Sequence, residues 1–207
     1  MKRHRREPLA APESLEVILE RAGESRFARV RPPIPAKVWR EAVGARIAER
    51  ARPVSLWNGV LEDSLGRALP AFFPEQAYAQ LKAIGDPASD WTNRLEHDFK
   101  LDLGAAHALL GRDSGRAHLI AVHVVSSYGH WVPPGVCSNR IGYYEMPNAR
   151  VVYSLDGGVR SFGIASMISW RGVWYVVHLG AILRSTDTGT VDAPATGPGA
   201  SAYSGTC

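Results

Sequence analysis

The chain has 207 residues, 45% of them apolar, six tryptophans and a formal net charge of +4. That suffices for one domain or two small ones with a real core, and no apolar run approaches the roughly 18 residues that a membrane helix needs. The charge is uneven. Residues 1–60 carry 13 Lys and Arg against 7 Asp and Glu, and the remainder 11 against 13, so a basic N-terminal third precedes a mildly acidic body with different expected partners.

Residues 1–12 form a basic arm in which Lys2, Arg3, Arg5 and Arg6 can neutralise phosphates; a solvated tail is the plainer reading of so short a run. A charged, amphipathic segment follows where a signal peptide needs an uninterrupted apolar core, so the expected location is cytoplasmic. Residues 12–24 fit a helix with Leu15, Ile18 and Leu19 on one face and Gly23 as a stop. Arg31-Pro-Pro-Ile-Pro35 is an extended connector that no helix tolerates. A second helix is expected at about 36–50, with Val38, Trp39, Val43 and Ile47 on its apolar stripe and Arg40, Arg46 and Arg50 opposite. Pro53 to Leu61 then reads as a strand, a turn at Asn58-Gly59 and the start of a return strand.

Three features carry a family likeness: Trp39-Arg-Glu-Ala-Val-Gly44 with Ile47-Ala48, then Arg52-Pro-Val-Ser-Leu56, then Asn58-Gly-Val-Leu61. On these, residues 13–61 resemble the DciA family of bacterial replicative-helicase loaders. The resemblance implies a KH-like module that binds DNA and works with the replicative helicase. By their charge, Arg3, Arg5 and Arg6 of the arm and Arg40, Arg46, Arg50 and Arg52 could contact phosphates, a solvated face being the plainer reading. It stops at Leu61. The family continues with a second strand, a helix entry and a final strand, whereas here Glu62-Asp-Ser-Leu-Gly-Arg-Ala-Leu-Pro70 follows. A partial module joined to something else near residue 61, by fusion or by a recombined or misassembled reading frame, is the expectation.

Residues 62–89 read as a linker with a short helix at about 75–84, started by Pro74. From Asp90, a good N-cap, Leu95, Phe99, Leu103, Ala106 and Leu110 recur at helical spacing up to Gly111. Residues 117–125 form a strand, and a long aromatic, Pro/Gly-rich loop follows; ordered loops of that kind are often functional. Residues 150–184 hold the clearest signal: three Val/Ile/Tyr/Trp runs separated by Asp156-Gly157-Gly158 and Arg171-Gly172, a three-stranded antiparallel meander. Neither face of its last strand is polar, so it is covered on both sides or lines a pocket. Residues 185–207 read as a mobile low-complexity tail.

Cys137 and Cys207 belong to no Cys-x-x-Cys pair. A disulfide between them would pin the tail to the sheet and needs an oxidising compartment, against which the absent signal peptide argues.

Residues 86–207 resemble a group of actinobacterial proteins of unassigned function, most of them exported. The matching residues are His130-Trp-Val-Pro-Pro-Gly-Val-Cys137, Gly142-Tyr-Tyr-Glu145, Pro147-Asn148, the run from Arg160 to Gly180, and Thr206-Cys207. The resemblance implies a cystatin-like or SnoaL-like roll, and a disulfide in exported relatives. The expected fold is therefore α+β: an incomplete KH-like segment (two helices and a hairpin start, 13–61), the 62–89 linker, a helix-plus-antiparallel-sheet roll at 90–184, and the tail.

No cofactor or metal is expected, since no ligand spacing occurs. Asp98 and Asp102 share a helix face near His107, but no paired-carboxylate motif completes a site, and they read as solvated. Tyr144, Glu145, Trp174 and His178 are the candidate pocket residues, with Tyr143 beside them. His178 could act as an acid or base in a roll pocket; a hydrogen-bonded core histidine is the plainer reading. His130, Cys137 and His178 have no spacing that specifies Cys/His chemistry, and Cys137 beside two prolines reads as structural. Three functions follow, in order: a non-enzymatic DNA-binding protein related to helicase loading, a ligand-binding or interaction roll with an N-terminal extension, and an acid/base enzyme using the roll pocket. The partners implied are DNA and the helicase for the first part and a small ligand or protein for the roll, with no membrane.

Overall fold

The computed structural model describes residues 52–201. The basic arm, the two helices expected before residue 51, and Arg3, Arg5, Arg6, Arg40, Arg46, Arg50 and Cys207 lie outside the described residues. The fold is α+β, with helices followed by a six-stranded antiparallel sheet.

The meander is present. Strands β3 (Tyr143–Leu155) and β4 (Gly158–Trp170) are joined by Asp156-Gly157, and β4 runs into β5 (Val173–His178) through Arg171-Gly172. All four turn residues have positive φ, between 50° and 77°, the geometry of a two-residue hairpin whose twist matches its strands. The two long strands form the middle of the sheet, and each is flanked by two short ones. On one side β1 (His118–His123) pairs with Arg150 to Ser154, and β2 (His130–Val132) pairs with Tyr143 to Glu145. On the other, β5 pairs with Ser166 to Trp170, and β6 (Asp192–Thr196) pairs with Arg160 to Gly163.

The segment Pro53–Glu62, expected as a hairpin start, is an α-helix, α1. Pro53 occupies its first turn, where a missing N–H costs nothing. Leu56, Trp57 and Val60 then fall on one face and are buried, and the Trp57 ring lies 5.2 Å from that of Tyr153 on the sheet. Burying side chains of this size stabilises by about 1.5–3 kcal/mol each. Gly59 does not turn the chain. A Cβ there would collide with the Cβ of Ala68 in the next helix, α2 (Leu65–Ala68), so the glycine permits close helix packing.

The stretch expected as a linker is also part of the body. Ala68, Ala71, Phe72, Phe73, Tyr78 and Leu81 are buried and join one hydrophobic core with α1 and the sheet. The Phe73 N–H donates to the Val176 carbonyl, so Phe72 pairs in parallel with Val176. The two rings diverge: Phe72 stacks on Phe99 at 4.3 Å, while Phe73 meets Tyr175 and Trp170 edge-on. Helix α3 (Glu75–Leu81) follows. The long helix starts earlier than expected, at α4 (Pro87–Asp90), because the Asp86 carboxylate accepts from the Ser89 N–H at 3.0 Å and Pro87 fills the first position. It continues through a π-helical stretch, Trp91–Glu96, into α5 (His97–Ala108).

Two further expectations are corrected. Asp102 is 1% exposed rather than solvated. It accepts hydrogen bonds from the Gly180 and Thr190 N–H groups, both at 2.8 Å, and from Arg184 at 2.9 and 3.1 Å, clamping the loop after β5 onto α5. The tail, as far as residue 201, is ordered by pairing. Besides β6, the buried Arg150 guanidinium donates to the Ala193, Pro198 and Ala200 carbonyls and to Ser161 Oγ. Four acceptors in fixed places suit the rigid donor fork of arginine. Among the described residues no helix is long and apolar enough to cross a membrane.

Candidate functional site

The polar residues that the sheet buries converge at one end, where β2, β3, β4 and β5 lie side by side. Tyr143 and Glu145 alternate onto one face of β3; Glu145 stands opposite Ile168 on β4, and Ile168 opposite Tyr175 on β5. The next pair is displaced. Met167 faces Val176, but Ser166 faces His178, so β5 carries one extra residue, Val177. Such a bulge re-aims the side chain after it. Plain alternation would leave His178 with Trp174 and Val176; the bulge brings it onto the face of Ser166 and Glu145. Phe73, Tyr78, Leu81 and Lys82 close over this face.

Between them lies a cavity of about 50 Å³ whose walls include Tyr143, Glu145, Ser166, His178, Lys82 and Tyr78. At about 30 Å³ per water in the liquid, this is room for roughly two waters or a group of a few heavy atoms. Ser166 Oγ donates to Glu145 Oε1 at 2.7 Å. The other oxygen, Oε2, has no hydrogen-bond partner among the described residues and lies 3.7 Å from His130 Nε2. His130 Nδ1 is 2.9 Å from the Tyr128 carbonyl. A carbonyl only accepts, so Nδ1 carries a proton, and in the neutral ring the lone pair on Nε2 points toward Glu145. Lys82 Nζ donates to the Cys137 carbonyl at 2.8 Å. Tyr78 Oη is held by Asp90 and Arg94, and Arg94 forms a two-pronged pair with Asp90 at 2.6 and 2.8 Å.

Burial shifts several of these groups toward their neutral forms. Burial pushes the Glu145 carboxyl up, against the pull of Ser166, His130 and Lys82. Burial, then the charge of Glu145, pushes the Tyr143 phenol up to about 12. Burial and the positive charges of Arg94, Arg184 and Lys82 press His178 down to about 3. Burial and Arg94 lower Lys82. Burial and the hydrogen bond to Asp90 raise Tyr78.

Of the pocket residues expected from sequence, Glu145 and His178 line the cavity and two do not. Tyr144 points to the opposite face, with its ring edge-on to Trp131 at 5.1 Å. Trp174 is 1% exposed in the core, on a strand position paired with Ser169. Both miss the cavity for one reason: alternation gives the site Tyr143, and only the bulge gives it His178. Lys82, Tyr78 and Ser166 escaped the sequence reading. Ser166, a lone hydroxyl in the apolar run from Phe162 to Ile168, was the available signal. Cys137 is disulfide-bonded, so it offers no thiolate; Cys207, the other half of the expected pair, lies outside the described residues. Arg52 is exposed, yet it donates to the Pro70 carbonyl at 3.1 Å and lies over the Tyr175 ring at 5.7 Å. Among the described residues no group of three His, Cys, Asp or Glu is placed to hold a metal.

No protein-family model, curated protein or solved structure matches the chain.

Proposed function

We propose that the roll is a ligand-binding module and that its site is the Glu145 cavity. The carrying observation is Glu145 itself. It is 3% exposed, it lines the cavity, and one carboxyl oxygen has no hydrogen-bond partner among the described residues. A buried polar atom left unpaired costs about 1–3 kcal/mol, so an incoming polar group completes the site. The acid/base reading around His178 has less support, because an imidazole held neutral to about pH 3 is a weak base and no acid at neutral pH.

The test is an NMR titration of the full chain with head-sized probes: formamide, acetate, imidazole and guanidinium. At least one should saturate, with shifts centred on Tyr143, Glu145, Ser166 and His178, and the response should vanish in Ile168→Trp, which fills the cavity. Four probes without a saturable response at these residues would sink the proposal.

A second reading, DNA binding and work with a replicative helicase through the N-terminal segment, is favoured by one observation, the excess of 13 basic over 7 acidic residues in 1–60. Its test compares the full chain with an Arg40→Ala, Arg46→Ala, Arg50→Ala variant on duplex and single-stranded DNA at two salt concentrations. Phosphate contacts predict tighter binding at low salt and a shallower salt slope in the variant. Equal, weak binding by both proteins would eliminate it.

A further inference from the structure

The Glu145 cavity has a neighbour. An open cleft of about 550 Å³ lies between the π-helical stretch and the loop from Ile182 to Asp187. Ile182 lines both spaces. Arg94 lines the cleft and holds Tyr78, which lines the cavity. One aliphatic side chain and one phenol–guanidinium contact therefore stand between a small polar chamber and a roomy groove.

The two spaces differ in chemistry. In the groove Leu183 is 90% exposed, the most exposed large apolar side chain among the described residues. The ionisable groups around it are already paired: His97 with Asp187 at 2.7 Å, and Arg184 with Asp98 and Asp102. In the chamber, Lys82 spends one of its three protons on the Cys137 carbonyl, which leaves two to donate. Tyr143 adds a hydroxyl. Glu145 Oε1 already accepts from Ser166, and Oε2 is the carboxyl oxygen left to a guest. Lys82 is the cation in the chamber wall; Arg94 and Arg184 lie beyond it and are held by Asp90, Asp98 and Asp102. A cationic head would meet the Lys82 ammonium; a carboxylate would be met by that ammonium and the Tyr143 phenol.

We propose that the site takes a carboxylate-ended chain molecule, with the carboxylate in the Glu145 cavity and an apolar body that passes Ile182 and covers Leu183 in the cleft. The proposal rests on the ligand-binding reading above and adds the class of ligand. The cavity matches a carboxylate and its first methylene in size. Each further methylene taken out of water tightens binding by up to about fourfold.

The test titrates the full chain with acetate, butyrate and hexanoate, and with hexylamine and hexanol as matched controls, following the amide resonances of Glu145, Ser166 and His178. Affinity should rise at least tenfold from acetate to hexanoate, and hexylamine should bind at least tenfold more weakly than hexanoate. Lys82→Ala should weaken every carboxylate by about tenfold or more. Leu183→Ser, at a fully accessible position where folding is not at stake, should remove part of the chain-length gain and leave acetate unchanged. Equal binding of hexylamine or hexanol would overturn the carboxylate assignment, and affinity independent of chain length would overturn the cleft. Formamide or imidazole binding at these residues without carboxylate binding would refute this inference and leave the ligand-binding reading standing. Silence from every probe would refute both.

Discussion

Asp102 gives the sharpest test of how the site is held in place. It is 1% exposed and accepts five hydrogen bonds: two from Arg184, one each from the Gly180 and Thr190 N–H groups, and one from Thr190 Oγ1 at 3.3 Å. Asp102→Ala removes them together. Breaking a buried ion pair from one side costs about 3–5 kcal/mol. Arg184 would keep Asp98 at 3.4 Å and the Ala181 and Thr188 carbonyls, which places that contribution at the low end. The Gly180 and Thr190 N–H groups lose their acceptor at about 1 kcal/mol or more each. Together these predict a loss of about 4–6 kcal/mol, and at about 2–4 °C per kcal/mol for a chain of this size, a melting temperature lower by roughly 10–20 °C. Urea and thermal unfolding of the full chain measure it. Asp102→Asn keeps one acceptor oxygen and should lose about half as much. Because the clamp sets the loop that carries Ile182, the milder variant should also shift the His178 amide resonance. A loss below about 1 kcal/mol in Asp102→Ala, the range of an exposed pair, would refute the reasoning.

Three other outcomes follow from the same structure. Trp57→Ala should cost about 3–5 kcal/mol, because its ring packs on Tyr153; a melting curve equal to that of the unaltered protein would show that α1 is not part of the core. Arg150→Ala should release β6 without unfolding the sheet, seen as faster hydrogen exchange at Asp192 to Thr196 with β3 and β4 amides still protected; unchanged exchange would refute the role given to Arg150. Glu145 has a folded-state pKa above its unfolded one, so the folded chain holds more protons, and stability falls as pH rises through the interval between the two values. Glu145→Gln should lack that decline and gain on the unaltered protein from about pH 4 upward; parallel stability–pH curves for the two proteins would contradict the direction given for Glu145.

The hairpins were legible because their chemistry is local: Asp156-Gly157 and Arg171-Gly172 readily supply the positive φ that a two-residue turn between strands needs. His178 was legible as a polar residue in an apolar strand, whereas Glu145 was legible only as part of a Tyr-Tyr-Glu run in an expected loop that proves to be the start of β3. Asn58-Gly59 misled for the opposite reason. The same dipeptide that signals a turn here sits in a helix, since Gly59 answers to Ala68 nine residues on, a tertiary demand with no local trace. The apolar spacing of Leu56, Trp57 and Val60, with Pro53 ahead of it, was the competing helical signal. The tail shows the same limit. Its composition suggested mobility, but Arg150, some forty residues upstream, supplies the donors that order it. The choice of Tyr143 over Tyr144 depends on register, which strand sequences specify poorly until their partners are known.

The bulge at Val177 makes the polarity of the cavity wall a matter of pairing rather than of residue identity. With Val177 itself paired opposite Ser166, β5 would alternate regularly and carry the imidazole to the face of Val176, leaving an isopropyl group where His178 now stands. Deletion of Val177 would not have that effect, because it removes the extra residue and leaves the histidine opposite Ser166. A shift of pairing at a strand end therefore exchanges a polar wall for an apolar one with every residue unchanged, and chains that share this strand sequence can differ in what they hold.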